Sequence, residues 1–367
     1  MVKTSTTGNR DARRLETKAE KARDSRVSGA IPAVVWDALW AYARTAALEA
    51  AVAIGLFDQL IDGSRSAAEI ARAVKCSARS VRMLADALVG AELLSKAKDR
   101  YELTEASRQF LVSTSPASVA GLVRLGAEFR KPFENLTEVV RTGKPVPAPE
   151  GTGSEIFPEL VGALFASSFA VSRRAREVLP GRARSRAKRV LDVAAGSAAW
   201  SLAWAEADPE VRVTALDYAE VLEVTRRYTD AFGCTARYEF VAGDLRTTRF
   251  GTNRFDLVIL GQICHAEGPR GAARLIERSA RALAPGGTLL VADLMANDDR
   301  TGPARHLLFA LNMLVGTTHG DVFTLAELRE WMRAAGLSSV RRLDVGGDGP
   351  DVVVGTKGRA MDSGPGR

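Results

Sequence analysis

Four aspartates and a histidine occupy the same kind of position in the C-terminal half of this 367-residue chain. Each aspartate ends a short apolar run, in Val190-Leu191-Asp192, Ala215-Leu216-Asp217, Val241-Ala242-Gly243-Asp244 and Val291-Ala292-Asp293. His265 follows the run Phe255–Leu260 by five residues. A carboxylate can accept two hydroxyl hydrogen bonds at once, as a ribose diol requires, and a neutral imidazole can take up a proton near neutral pH. After Asp192 the chain turns through the small residues Ala194, Gly196 and Ala198 before a helix-like pattern from Trp200. Such a strand–turn–helix step brings backbone N–H groups close to a nucleotide-like ligand.

The loop narrows the choice of ligand. No G-x-G-x-x-G series and no G-x-x-x-x-G-K-S/T loop is present, so the dense amide cradle that phosphates need is missing. A ligand with ribose and adenine but no phosphate fits best, which points to S-adenosylmethionine, with Asp217 at the ribose. The runs that carry these residues alternate with helical patterns, one to about Phe232 and one from about Gly271 to Leu283, ahead of a strand at Thr288–Asp293. That alternation predicts an α/β fold, a doubly wound Rossmann-like sheet with its ligand at the carboxyl ends of the strands. His265 then falls in the loop past the fourth strand.

The N-terminal half reads as a second, mainly helical domain. Apolar residues cover nearly the whole circumference of a helix from Trp36 to Leu60, so that helix must be buried, and between subunits is the natural place. Ser66–Ala71 and Ser77–Leu84 read as helix-turn-helix, and Leu93-Leu94-Ser95 with Tyr101–Thr104 as a hairpin, which completes a winged helix. A winged helix can bind DNA, here through Arg79 and Arg82 with Lys96, Lys98 and Arg100, or it can dimerise. The expected boundaries are a disordered basic tail at 1–29, the winged helix at 30–115, a helical substrate-chamber region at 116–185, the ligand-binding sheet at 186–358 and a flexible tail at 359–367.

Across residues 34–357 the chain resembles the S-adenosylmethionine-dependent O-methyltransferases that plants and bacteria use on phenolic, polyketide and other aromatic metabolites. The matching landmarks are Leu191-Asp192-Val193 with Gly196, Leu216-Asp217, Gly243-Asp244, Phe255–Val258, Cys264-His265, Pro285-Gly286-Gly287 and Val291-Ala292-Asp293. The resemblance implies a homodimer through the winged helix and a small-molecule acceptor. It gives Asp192, Gly196, Asp217, Tyr218, Asp244, Leu245 and Gly261 to the cofactor, His265 to general-base catalysis, and Asp293 to orienting that base. Phe165, Phe169, Phe309, Asn312, Met313 and His319 are the candidate acceptor contacts, with Phe129 and Phe157 also in reach of the chamber, and His306 reads as structural. Departures fall at Ala194 and Ala198, where the family more often has Gly, at Gly261, where plant members carry Lys or Ser, and at Ala266-Glu267, where Asp-Trp commonly follows the histidine. The acid of the last substrate loop has no clean match, since Val322 stands at its position beside Asp321. Carbon methylation stays open at this point, because a base beside an enol or phenol activates the neighbouring carbon too.

Composition agrees with a two-domain globular enzyme, at 46% hydrophobic residues and a formal charge of +7. Residues 1–29 hold eight Lys/Arg against four Asp/Glu, and Arg182, Arg184, Arg186, Lys188 and Arg189 form a second cluster, so the charge sits in a tail and a linker and does not mark a nucleic-acid surface. Three cysteines without C-x-x-C spacing predict reduced thiols in a cytoplasm. The chain shows no secretory core, no membrane span and no metal-ligand spacing.

Overall fold

The computed structural model of the chain describes residues 31–145, 152–347 and 349–358. The tails expected at 1–29 and 359–367 lie outside the described residues. Contacts divide the chain into two compact units between Ser107 and Arg108, and residues 116–185 cluster with the second.

The first unit starts with α1 (Ala33–Ala53), followed by α2 (Ala67–Ala73) and α3 (Ala78–Gly90). Ser66 and Glu69 close a capping box at the start of α2, satisfying two backbone donors that a helix N-terminus leaves free. The strand Leu94–Ala97 pairs antiparallel with Arg100–Leu103, which also pairs with Arg65–Ser66. This is the winged helix that the sequence predicts. Its core holds Phe57, Leu60, Ile70, Val81, Leu88 and Tyr101. Helix α1 stands apart: Val34, Val35, Trp36, Leu39, Trp40 and Tyr42 are exposed in the single chain, and Ala51 is its buried residue. Its C-terminal half packs within the unit, while the apolar circumference of its N-terminal half is left uncovered there.

The second unit is built on seven strands, β1 (Arg189–Val193), β2 (Arg212–Asp217), β3 (Tyr238–Ala242), β4 (Phe255–Gly261), β5 (Leu283–Asp293), β6 (Leu337–Leu343) and β7 (Asp351–Lys357). They form one sheet in the order β3-β2-β1-β4-β5-β7-β6. Strands β1 to β5 run parallel, and β7 runs antiparallel to both its neighbours. Side chains alternate between two cores. Val190, Leu257, Ile259, Leu290 and Val352 pack on one face with α5 (Phe165–Val178) and α6 (Ala199–Ala205). Leu191, Val193, Val258, Leu260, Leu289 and Val353 pack on the other with α8 (Cys264–Ala282). Burial on both faces is why these strands read as unbroken apolar runs. The helix α4 (Thr152–Ala163) precedes α5, α7 (Ala219–Ala231) connects β2 to β3, and α9 (Ala304–Gly316) follows β5. Strand order reverses at β1 and β4, so the crevice for a ligand opens beyond their carboxyl ends.

Three boundaries differ from the sequence expectation. The helix read from Trp36 to Leu60 ends at Ala53, where Gly55 takes a φ of 70° and a separate 3-10 turn, Phe57–Leu60, follows. Helix α8 begins at Cys264, not near Gly271, so His265 lies in a first helical turn and not in a loop. Gly268 takes a φ of 68° and kinks the chain between this first turn and the rest of α8. Strand β5 likewise begins at Leu283, because pairing with β4 resumes on both sides of Pro285-Gly286-Gly287 through a register shift.

Candidate active site

The loop between β1 and α6 is held in a strained form. Ala194, Gly196 and Ala198 all have positive φ, 56°, 56° and 58°, and an L-residue there costs roughly 1–2 kcal/mol. Ala194 and Ala198 accept the conformation that glycine would take more cheaply. Four bonds fix it: the Ala195 N–H donates to Leu216 O at 3.1 Å, the Ala198 N–H to Ala195 O at 2.8 Å, the Gly196 N–H to Asp217 Oδ2 at 2.8 Å, and the Thr225 hydroxyl to Gly196 O at 2.6 Å. The Tyr218 N–H donates to the other oxygen of Asp217, also at 2.8 Å. Each carboxylate oxygen therefore spends one lone pair on the backbone and keeps one, an arrangement that matches the two hydroxyls of a ribose. Burial pushes the Asp217 carboxyl up, and the two amide bonds pull it back.

The other strand ends complete a cleft. Asp244 Oδ1 accepts the Arg246 N–H at 2.7 Å, and the Gly243 N–H donates to Asp217 O at 2.9 Å. Tyr218 is half-exposed, and burial followed by the Asp244 charge raises its hydroxyl pKa. Asp192 is enclosed, and among the described residues its Oδ2 has no hydrogen-bond partner. Burial pushes it up to about 7, against hydrogen bonds from Ser201 and with the Asp217 charge adding to the rise. Trp200 and Val161 are additions that sequence reasoning missed. A Cβ at Gly261 would collide with the Trp200 indole, so Trp200 fills the space that a side chain at 261 would need. A Cβ at Gly196 would press on Val161 of α4 at 3.2 Å. Neither partner is readable from sequence: Trp200 meets Gly261 only because β1 lies beside β4, and Val161 meets Gly196 only through the packing of α4.

His265 and Asp293 are brought together at the ends of β4 and β5. The His265 N–H donates to Asp293 Oδ2 at 3.0 Å, and ring Nδ1 lies 2.7 Å from Oδ1. A carboxylate oxygen accepts, so Nδ1 carries a hydrogen, and in the neutral ring the lone pair is on Nε2. The side chains are 15% and 3% exposed. Phe309 of α9 packs edge-to-face on the imidazole at 5.0 Å. Asn312 and Met313 follow Phe309 by three and four residues, hence on the same stripe of α9. Met313 is buried, and among the described residues the Asn312 amide makes no hydrogen bond. The turn Thr317–Asp321 closes on His265, whose carbonyl accepts the Asp321 N–H at 2.9 Å. Burial and the Asp293 charge raise the Cys264 thiol, which removes it as a nucleophile.

Other candidates sit elsewhere. Phe165 and Phe169 stack on each other and pack against Tyr228 and Phe232, with Phe165 4.1 Å from the Tyr228 ring. They join the core beneath α7, not the His265 cluster. Aromatic residues at helical spacing give the same sequence signal for core and for pocket, and here packing took them. His319 has an exposed side chain; its backbone fits against Gly268. His306 is buried with Nδ1 2.6 Å from Met295 O, a structural anchor as the sequence suggests. Val322 is buried, and Asp321 accepts its N–H at 2.7 Å. Among the described residues no group of three or more His, Cys, Asp or Glu is placed to share a metal ion, and no helix is long and apolar enough to cross a membrane.

Comparison with known proteins agrees with both units. Residues 158–338 match an O-methyltransferase domain, and residues 36–113 match an O-methyltransferase dimerisation domain. The chain is 32% identical to the 3-hydroxy-5-methyl-1-naphthoate 3-O-methyltransferase of Streptomyces sahachiroi, over 87% of this chain and 92% of that one. It is 33% identical to the tetracenomycin polyketide synthesis 8-O-methyltransferase of Streptomyces glaucescens, over 87% and 95%. The structure of human N-acetylserotonin methyltransferase with S-adenosylmethionine superposes with a TM-score of 0.78 at 25% identity, covering 90% of this chain and 99% of that one. The dimerisation match spans α1 and the winged helix, gives this unit a pairing role, and accounts for the exposed apolar residues of α1. The chain belongs to the S-adenosylmethionine-dependent O-methyltransferase family.

Proposed function

We propose that this enzyme methylates a hydroxyl on an aromatic or polyketide-like small molecule, with His265 as the general base. The observation that carries the reading is the His265–Asp293 pair at the carboxyl ends of β4 and β5, closed on one side by Phe309. When bound, S-adenosylmethionine supplies an electrophilic methyl group. Asp293 fixes the tautomer and orientation of His265, so Nε2 takes the acceptor's hydroxyl proton as its oxygen attacks. The imidazolium that forms stays beside the Asp293 carboxylate, which stabilises it. Base assistance of this kind contributes typically ~10²- to 10⁴-fold. Phe309 and Met313 give the acceptor an apolar wall, and the free Asn312 amide offers a hydrogen bond to a second acceptor oxygen. Asp217 with the Gly196 loop holds the ribose, Asp244 and Leu245 the adenine, and Asp192, Tyr218 and Gly261 line the same cleft.

The three free cysteines, two of them buried, suit a reducing compartment, and we place the enzyme in the cytoplasm. The test is to incubate the purified dimer with S-adenosylmethionine and a panel of phenolic acids and polycyclic phenols, following S-adenosylhomocysteine and products by mass spectrometry. A methyl ether is the expected product. Methylation on carbon or nitrogen alone, across acceptors that also carry free hydroxyls, would refute hydroxyl transfer.

A further inference from the structure

The departure at Ala266-Glu267 has a structural counterpart. Glu267 binds Arg246 through two contacts, Nη2 to Oε1 at 2.8 Å and Nε to Oε2 at 3.1 Å. The Glu267 side chain is 8% exposed, and that of Arg246 is 61% exposed. A carboxylate this enclosed depends on its cation. The two ends of the contact belong to segments with different work. Arg246 lies two residues past Asp244, and its N–H closes the turn on Asp244 Oδ1 at 2.7 Å. Glu267 lies in the first turn of α8, two residues after His265 and directly before the Gly268 kink.

We propose that the Arg246–Glu267 contact is a strut that positions His265 from the cofactor side, so that ordering the Asp244–Arg246 turn also sets the first turn of α8. The strut rests on the reading above, in which Asp244 and Leu245 hold adenine and His265 is the base. Two parallel bonds fix an angle as well as a distance, which a single contact does not. Without them the turn before Gly268 is tied by Asp293 at His265, by the Asp321 N–H on His265 O at 2.9 Å and by a 3.2 Å bond from Ala266 N to Ile263 O, none of which reaches the Asp244–Arg246 turn. Arg246 and Glu267 are positioning residues: they act through the turn that carries His265.

Hydrogen–deuterium exchange on the full-length dimer, with and without saturating S-adenosylhomocysteine, tests this without an acceptor. In the parent, the ligand should slow exchange in residues 194–198 and in residues 263–268. In Glu267→Gln and in Arg246→Met, slowing at 194–198 should persist at saturation, while slowing at 263–268 should fall by about threefold or more. Arg246→Lys, which keeps the charge but loses the fork, should lie between. Parent-like slowing at 263–268 in both variants, with 194–198 also slowed, overturns the strut alone. A parent in which the ligand slows neither segment overturns the cofactor reading and the strut with it.

Discussion

Asp293 grips His265 at two points, accepting its backbone N–H on Oδ2 at 3.0 Å and facing its ring Nδ1 with Oδ1 at 2.7 Å. The Leu294 N–H, 2.9 Å from the same Oδ1, holds the carboxylate in turn. Asp293→Asn keeps the shape and loses the two-sided acceptor, since one of its edges now donates. The ring is then free to take the other tautomer, with the hydrogen on Nε2. Turnover should fall by roughly 10²-fold or more, with affinity for S-adenosylhomocysteine close to the parent. Steady-state kinetics beside calorimetry checks the split.

Asp217 meets the Gly196 and Tyr218 amides and has two lone pairs to spare. Asp217→Ala should weaken S-adenosylhomocysteine binding by roughly 1.5–3 kcal/mol, the scale of hydrogen bonds to a charged group. Calorimetric affinity equal to the parent's would remove Asp217 from the cofactor site.

Asp192 gives the pH dependence a definite sign. Its folded pKa is raised to about 7, chiefly by burial, against an unfolded value near ~3.9. Below that lower value both states hold the proton and the group costs nothing. As pH rises toward 7 the fold retains a proton that the unfolded chain has released, so stability falls, and it levels off above 7. The full cost is on the order of a few kcal/mol. Asp192→Asn should lose less melting temperature than the parent between pH 5 and pH 8, and be the more stable protein at pH 8. Parallel melting curves across that range would count against it.

Much of this site was legible before the fold was known. Strands buried on both faces announce themselves as apolar runs, and the acids that end those runs mark where the crevice opens, which is how Asp217 and Asp244 stood out. Adjacency was harder. His265 and Asp293 meet because β4 and β5 are parallel neighbours, and Trp200 meets Gly261 because β1 lies beside β4; neither fact is local. Phe165 and Phe169 are partly buried against Tyr228 and Phe232, and a helical aromatic stripe looks alike in a core and in a pocket. Gly268-Pro269 concealed the first turn of α8, because the positive φ at Gly268 lets a helical turn precede the break.

The Trp200–Gly261 contact makes a prediction of its own. Gly261→Ser would drive a Cβ into the indole, and overpacking of that kind costs about 1–3 kcal/mol. A melting temperature lowered by about 2–8 °C is expected, together with weaker S-adenosylhomocysteine binding. Adding Trp200→Ala should recover part of the binding loss, because it empties the space the new side chain needs. Additive losses in the double variant would show that the two positions do not share that space.

The most direct measurement is His265→Ala on the purified dimer, with an acceptor that the parent converts. S-adenosylhomocysteine should bind within about threefold of the parent, because the imidazole lies with Asp293 and Phe309 and away from Asp217. Formation of the methyl ether at saturating cofactor should drop by roughly 10²-fold or more. A His265→Ala enzyme that keeps most of its turnover on that acceptor would contradict general-base catalysis by His265.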